Sequence, residues 1–160
     1  MNNIIDDKVK DVINMIKNMD IKNKISELSI EATIENLEKV EEFIDENLDK
    51  CNFSTKRMNQ IKISVEEIYV NIAHYAYSPN TGMAKISVDI NQDDKYMEIV
   101  FIDQGKPYNP LEKKDPDVKL KVSERQMGGL GIYMTKKLMD DISYEYSHGK
   151  NILTLKNNWD

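Results

Sequence analysis

Lys56 to Tyr77 reads KRMNQIKISVEEIYVNIAHYAY, and the rest of the chain is organised around it. Met58, Ile61, Val65, Ile68, Ile72 and Ala76 recur every three or four residues, the spacing of one apolar stripe on an α-helix. A polar line runs beside the stripe: Ser64, Glu67, Asn71 and His74. Residues four apart lie one above the other on a helix. The Glu67 carboxylate and the Asn71 carboxamide therefore stack at the edge of the face that must be buried. Oxygen groups placed where a core opens to solvent suit a hard cation such as Mg²⁺, and a carboxylate beside it can orient or deprotonate a hydroxyl. The same two residues also read as an i,i+4 pair on a solvated flank.

Working outward toward the C-terminus, Ser78-Pro79-Asn80-Thr81-Gly82 ends the helix with turn chemistry. Ala84 to Ile90 alternates apolar and polar residues, as a half-buried strand does. Asn91 to Lys95 reads as a hairpin turn, and Tyr96 to Ile102 as a more apolar, more central strand that runs into Asp103-Gln104-Gly105. A carboxylate at a strand end can accept a hydrogen bond from an exocyclic amino group such as that of adenine. A glycine two residues on lets the backbone approach a flat ring. Asp-x-Gly is also ordinary turn chemistry. Lys106 to Met127 holds three of the chain's four prolines and no strong period, so a long functional or disordered loop is expected. It ends in Gly128-Gly129-Leu130-Gly131, which opens a helical run through Met139. Glycines at a helix N-terminus free backbone N–H groups to face an anion, and the helix dipole favours phosphate there. Three glycines so close are notable in a chain with six in all. Arg125, just upstream, can place a guanidinium on a terminal phosphate. Ile142 to Ser147 and Asn151 to Lys156 read as two last strands joined by His148-Gly149-Lys150.

Toward the N-terminus, Ser54 is an expected N-cap. Thr33 to Leu48 reads as a helix with an acidic outer face, and Ile25 to Ala32 as a strand near a sheet edge. Ile5, Val9, Val12, Ile13 and Ile16 form an amphipathic helix over Ile4 to Met19, followed by a polar joint at Lys22-Asn23-Lys24. Packing on the main domain, self-association and partner contact are all open to that helix, with packing the simplest. This divides the 160 residues into an N-terminal helix and joint, 1–23, and one domain, 24–160.

Composition narrows the function. Lys and Arg total 22 against 28 Asp and Glu, a net charge of -6, so the basic footprint of a nucleic-acid binder is missing. Nothing in that balance opposes binding one nucleotide. Cys51 is the single cysteine, which excludes an internal disulfide and a thiolate metal cluster. With two histidines, a site of three histidine ligands is excluded. No apolar run reaches membrane-spanning length and the N-terminus lacks a signal-peptide core, so a cytoplasmic protein is expected.

The order of the three motifs carries a resemblance. VEEIYVNIAHYAY looks like the N box, FIDQGKPYNP like the first glycine box and ERQMGGLGIYMTKKLMD like the second, in the Bergerat (GHKL) ATPase fold. Within that fold the chain resembles the small anti-sigma factor serine/threonine kinases of the RsbW and SpoIIAB type, over roughly residues 24–156. The resemblance implies an α/β two-layer sandwich, a mixed, mainly antiparallel sheet with helices on one face. It implies ATP/ADP and Mg²⁺ as cofactors, with Asn71 holding the metal and Glu67 taking the proton of an attacking serine. Asp103 would meet the adenine amino group, with Gly105 lining that pocket. Gly128, Gly129, Leu130 and Gly131 would form the phosphate loop, and Arg125 would lie near the γ-phosphate. His74 or Tyr75 would take the place of a basic residue that some relatives carry after the asparagine. The implied partners are a sigma factor and an anti-anti-sigma (STAS) protein, with a homodimer as the form.

Two departures stand out. Pro107 replaces a second glycine, and Gly149-Lys150-Asn151 replaces a Gly-Thr pair that supports the adenine site in relatives. No role is carried over to the latter. A non-catalytic module switched by nucleotide is the alternative. A histidine-kinase output domain ranks last, because no phosphoacceptor helix with a plausible histidine lies upstream.

Overall fold

A computed structural model describes residues 2–117 and 130–160. Helix α1 spans Asn2–Lys22 and strand β1 follows at once over Asn23–Glu31, so the expected polar joint is absorbed into the two elements. A 3-10 turn at Ile34–Asn36 leads into α2 (Leu37–Leu48), and α3 covers Thr55–Asn71. Then come a π turn (Ile72–Ala76), β2 (Met83–Asn91) and β3 (Tyr96–Asp103). Helix α4 (Leu130–Leu138), β4 (Asp141–Ser147) and β5 (Lys150–Asn158) complete the described chain.

The five strands form one sheet in the order β1-β2-β3-β5-β4. All four pairings are antiparallel. Each hairpin follows from its turn residues. His148 and Gly149 both adopt positive φ, 51° and 76°, as a two-residue connection between antiparallel strands requires. Alternation decides which face is covered. Ala84, Ile86, Val88 and Ile90 of β2 and Met97, Ile99 and Phe101 of β3 are buried, while their neighbours are half-exposed or exposed. Leu153 and Leu155 of β5 continue the same buried face.

The helices cover that face. Val40, Ile44 and Leu48 of α2, Ile61, Val65 and Ile68 of α3, Ile72 of the π turn and Ile132 of α4 are buried. Each such side chain contributes about 1.5–3 kcal/mol on leaving water, so a charge at Val65 or Ile86 would cost the fold. Ser54 caps α3 as its sequence predicts, its Oγ accepting from the Arg57 N–H at 3.2 Å. Phe53 meets Trp159 edge to face, with ring centroids 5.2 Å apart, and closes the core near the C-terminus.

The C-terminal end of α2 and the turn after it hold two further polar groups, Asn47 buried and Cys51 half-buried. Asn47 Nδ2 donates to the Phe43 carbonyl at 2.8 Å, and the Cys51 thiol lies 3.6 Å from the Asn47 carbonyl oxygen. Burial pushes the Cys51 thiol up to about 11, against a small opposing pull from Lys50.

Two expectations change. The central helix does not stay α to Tyr77: its last turn widens into the π turn, a distortion common at functional sites. The N-terminal helix does not pack on the domain over its described side chains. Every residue from Asp6 to Ile16 is exposed.

Candidate functional site

Strand β3 brings Asp103 to its C-terminal end on the helix-covered face, where the residue is only 6 % exposed. Its cross-strand partner on β5 is Asn151, also buried. The two side chains meet directly, Asn151 Nδ2 donating to Asp103 Oδ1 at 2.9 Å. The same carboxylate oxygen accepts the Gly105 N–H at 2.9 Å. Asn151 also donates to the Lys106 carbonyl at 3.0 Å and accepts from the Tyr108 N–H at 3.1 Å and from the Tyr144 hydroxyl. One carboxamide thus fastens the strand end, the start of the following loop and an aromatic wall. Burial, with the charge of Asp103 adding to it, holds the Tyr144 hydroxyl above its ordinary pKa, so it remains a neutral donor near pH 7. Tyr77 does similar work at the rim. Its hydroxyl accepts the Gln104 N–H at 2.8 Å and donates to the Met83 carbonyl.

Gly105 sits where the loop crosses the π turn. A Cβ at Gly105 would lie 2.3 Å from the Ala76 carbonyl oxygen, which is backbone and cannot step aside. The crossing is fixed by the Lys106 N–H donating to that carbonyl at 2.9 Å. The glycine of the Asp103-Gln104-Gly105 motif therefore serves close approach between two backbone segments.

Above this floor lies a cavity of about 570 Å³. Ile68, Ile72, Phe101, Ile132 and Leu153 give it apolar walls, while Asn71, Asp103, Tyr144 and Asn151, with Lys106 and Lys113, are among its polar groups. A mainly apolar cleft with a few convergent polar groups is the usual form of a small-molecule site. The residues present fit a purine nucleotide: apolar walls for a ring, a buried carboxylate among them, and no hydrogen bond to Asp103 Oδ2 among the described residues. Asn71 reaches the wall from one turn further along α3 than Glu67. Among the described residues no group of three or more His, Cys, Asp or Glu side chains could hold a metal ion. A Mg²⁺ ion here would take Asn71 as its protein ligand and oxygen atoms of a bound phosphate chain as the rest, a common arrangement for that ion.

Glu67 does not line this cavity. It faces a separate cleft of about 340 Å³ between α3 and α4, bounded by Ile63, Leu130, Gly131 and Met134. Its carboxylate rests on the first turn of α4: a Cβ on Gly131 would come within 1.9 Å of Glu67 Oε2. The cavity and the cleft adjoin, since Glu67 and Ile68 on α3, and Gly131 and Ile132 on α4, divide between them. At its other end α4 is tied to α3. Arg57 pairs with Asp140 at 2.6 Å and donates to the Leu138 carbonyl.

Of the site residues named from sequence, Asn71 and Asp103 come together in one wall, with Gly105 beneath them. Glu67, Leu130 and Gly131 come together in the neighbouring cleft. His74 is exposed and off the cavity wall, its ring beside that of Tyr75, which takes the wall position instead. Arg125, Gly128 and Gly129 lie outside the described residues. Asn151, Tyr144 and Lys106 were not named from sequence and do line the cavity. For Asn151 a signal existed: it shares strand parity with Leu153 and Leu155, so it had to be a buried polar side chain with partners.

The family of the histidine kinase-like ATPase domain matches residues 30–157. The serine-protein kinase RsbW of Bacillus mycoides is 29% identical over 111 residues, which are 67% of this chain and 68% of that protein. RsbW of Bacillus licheniformis is 26% identical over 111 residues, 67% of this chain and 69% of that one. Among solved structures, the RsbU and RsbW domains of Rv1364c from Mycobacterium tuberculosis are similar in fold, with a TM-score of 0.56 at 16% identity. That likeness covers 83% of this chain and 32% of the other, so this chain spans about a third of it. The family match takes in every residue that walls the cavity and the cleft, and the chain belongs to the histidine kinase-like ATPase domain family, with similarity inside it to the serine-protein kinases RsbW.

Proposed function

We propose that this protein is an ATP- and Mg²⁺-dependent protein serine kinase that also acts as an anti-sigma factor. Its substrate is a serine of an anti-anti-sigma (STAS) protein, and it holds a sigma factor when that partner is phosphorylated, in the cytoplasm. The observation that supports this most is the division of labour along α3. Asn71 faces the nucleotide-sized cavity with Asp103, while Glu67, one turn earlier, faces an open cleft at its border.

Asp103 accepts the adenine amino hydrogen and Asn151 keeps its carboxylate oriented. The backbone at Gly131 opens α4 beside the phosphate end, where N–H groups at a helix start favour anions. Magnesium, when bound, neutralises phosphate charge. Glu67 accepts the proton of the serine hydroxyl as its oxygen bonds to the γ-phosphorus and the bond to the ADP oxygen breaks. Positioning and charge stabilisation supply most of the rate in such transfers.

One observation favours a second reading, a nucleotide-switched binding module: the Glu67 carboxylate lies on α4 and outside the cavity. The two readings part on a single pair of experiments. Calorimetric titration with ATP and ADP, with and without Mg²⁺, should give binding that Asp103→Asn weakens about tenfold to a hundredfold, the worth of a hydrogen bond to a charged group. Incubation with γ-labelled ATP and a purified STAS partner should label the partner. Binding without transfer selects the switched module. A folded protein that binds neither nucleotide ends both readings.

A further inference from the structure

We propose that the cleft at Glu67 is a docking pocket for one apolar side chain of the protein substrate, that of a residue close to the acceptor serine in sequence. The inference rests on the kinase reading above and adds to it the rule by which that serine is chosen. The cleft of about 340 Å³ is bounded by Ile63, Glu67, Leu130, Gly131 and Met134, and among these residues Glu67 alone carries a charge.

The apolar members take no part in the core. On α3 the buried residues are Ile61, Ser64, Val65, Ile68 and Tyr69, and Ile63 is 49% exposed. On α4 the buried residues are Ile132 and Thr135, while Leu130 and Met134 are 44% and 41% exposed. A single exposed apolar side chain is ordinary on a protein surface. Three that converge from two helices on one carboxylate mark a surface that another molecule covers. The cleft also continues the nucleotide cavity, since Ile68 and Ile132, which follow Glu67 and Gly131, line that cavity. A segment that brings a serine hydroxyl to Glu67 therefore lies over the apolar members as well.

Geometry sets what that segment carries. Helices α3 and α4 run in opposite directions, because Gly131 lies against Glu67 while Arg57 pairs with Asp140 at the far end. Ile63, one turn before Glu67, and Met134, one turn after Leu130, therefore lie on the same side of the carboxylate. One turn is about 5.4 Å. Two residues of extended chain, or three to four of helix, span that distance and keep both side chains on one face. A leucine, isoleucine, methionine or valine so placed covers Ile63 and Met134, and the unbranched Met134 side chain adjusts to any of them. An aspartate or glutamate there would be desolvated without a partner and would face Glu67.

The test is steady-state transfer from γ-labelled ATP to a purified STAS partner, with the partner's concentration varied. Ile63→Ser and Met134→Ser should each raise KM for the partner about tenfold, the worth of burying part of such a side chain. ATP affinity by calorimetric titration should match the wild type, which also reports that each variant is folded. Ile25→Ser, exposed on the uncovered face of the sheet, should leave KM unchanged. Serine substitutions of the apolar residues that flank the partner's acceptor serine, made one at a time, should find one position that raises KM alike and adds nothing when combined with Met134→Ser. KM unmoved by Ile63→Ser and Met134→Ser, when the wild type transfers phosphate, overturns this inference alone, as does the absence of any such flanking position. So does a fall in kcat with KM unmoved, which would make the two residues supports of Glu67. A change in oligomeric mass with KM unmoved would place a second copy on the cleft and overturns it too. A folded wild type that binds ATP and labels no partner ends the kinase reading, and this inference with it.

Discussion

The two ends of the candidate site are built differently. At the Asp103 end, one buried carboxamide holds a carboxylate, two backbone positions of the following loop and a tyrosine hydroxyl. At the Glu67 end, a half-buried carboxylate lies against a helix turn in a cleft whose other side chains are apolar. The first end is assembled in advance, so substitutions there should act on binding and stability. The second has few fixed bonds, so substitution of its carboxylate should act on the chemical step.

The sharpest way to break this contrast is Glu67→Gln. Loss of a general base typically costs a factor of about 10² to 10⁴ in rate. Phosphate transfer should fall by that much while ATP affinity and thermal midpoint stay put, and normal transfer would remove Glu67 from the mechanism. Gly105→Ala should do the opposite. Its Cβ would press on the Ala76 carbonyl, and overpacking of this kind costs about 1–3 kcal/mol, read as a lower thermal midpoint together with weaker nucleotide binding. Asn151→Ala should cost about 1–3 kcal/mol as well, because it strands buried groups at Asp103 and Lys106, and ATP titration should show the loss at the base end. Tyr144→Phe removes one hydroxyl and leaves Asn151 its other partners. A change of about 0.5–1.5 kcal/mol is expected, visible as a few-fold weaker ATP binding. An effect of Tyr144→Phe on transfer rate larger than on affinity would blur the line between the ends.

The sequence displayed the sheet and helices well because burial repeats locally. The alternation through Ala84, Ile86, Val88 and Ile90, and the stripe through Ile61, Val65 and Ile68, are the buried sets of the structure. Asp103 was legible because it ends an apolar strand beside a glycine. For Asn151 strand parity with Leu153 and Leu155 marked the burial, but not the partner, because that bond reaches a residue 48 positions away and no local pattern carries it. For the position after Asn71 the sequence left His74 or Tyr75 open. Tyr75, four residues after Asn71, lines the cavity with it, while His74 on the same π turn is exposed. For α1 the stripe was plain, but amphipathicity states only that something covers it. Packing on the domain was the economical reading, and the exposed side chains from Asp6 to Ile16 corrected it.

Cys51 has a practical consequence. A thiol whose pKa stands at about 11 is ionised in only about one molecule in a thousand at pH 8, and it is the thiolate that reacts. The native thiol therefore reacts with maleimides and spin labels more slowly than an exposed cysteine of ordinary pKa. A single cysteine introduced at the mouth of the cavity would take up dye ahead of it. Distances across the mouth of the cavity could then be measured spectroscopically with the natural cysteine left in place.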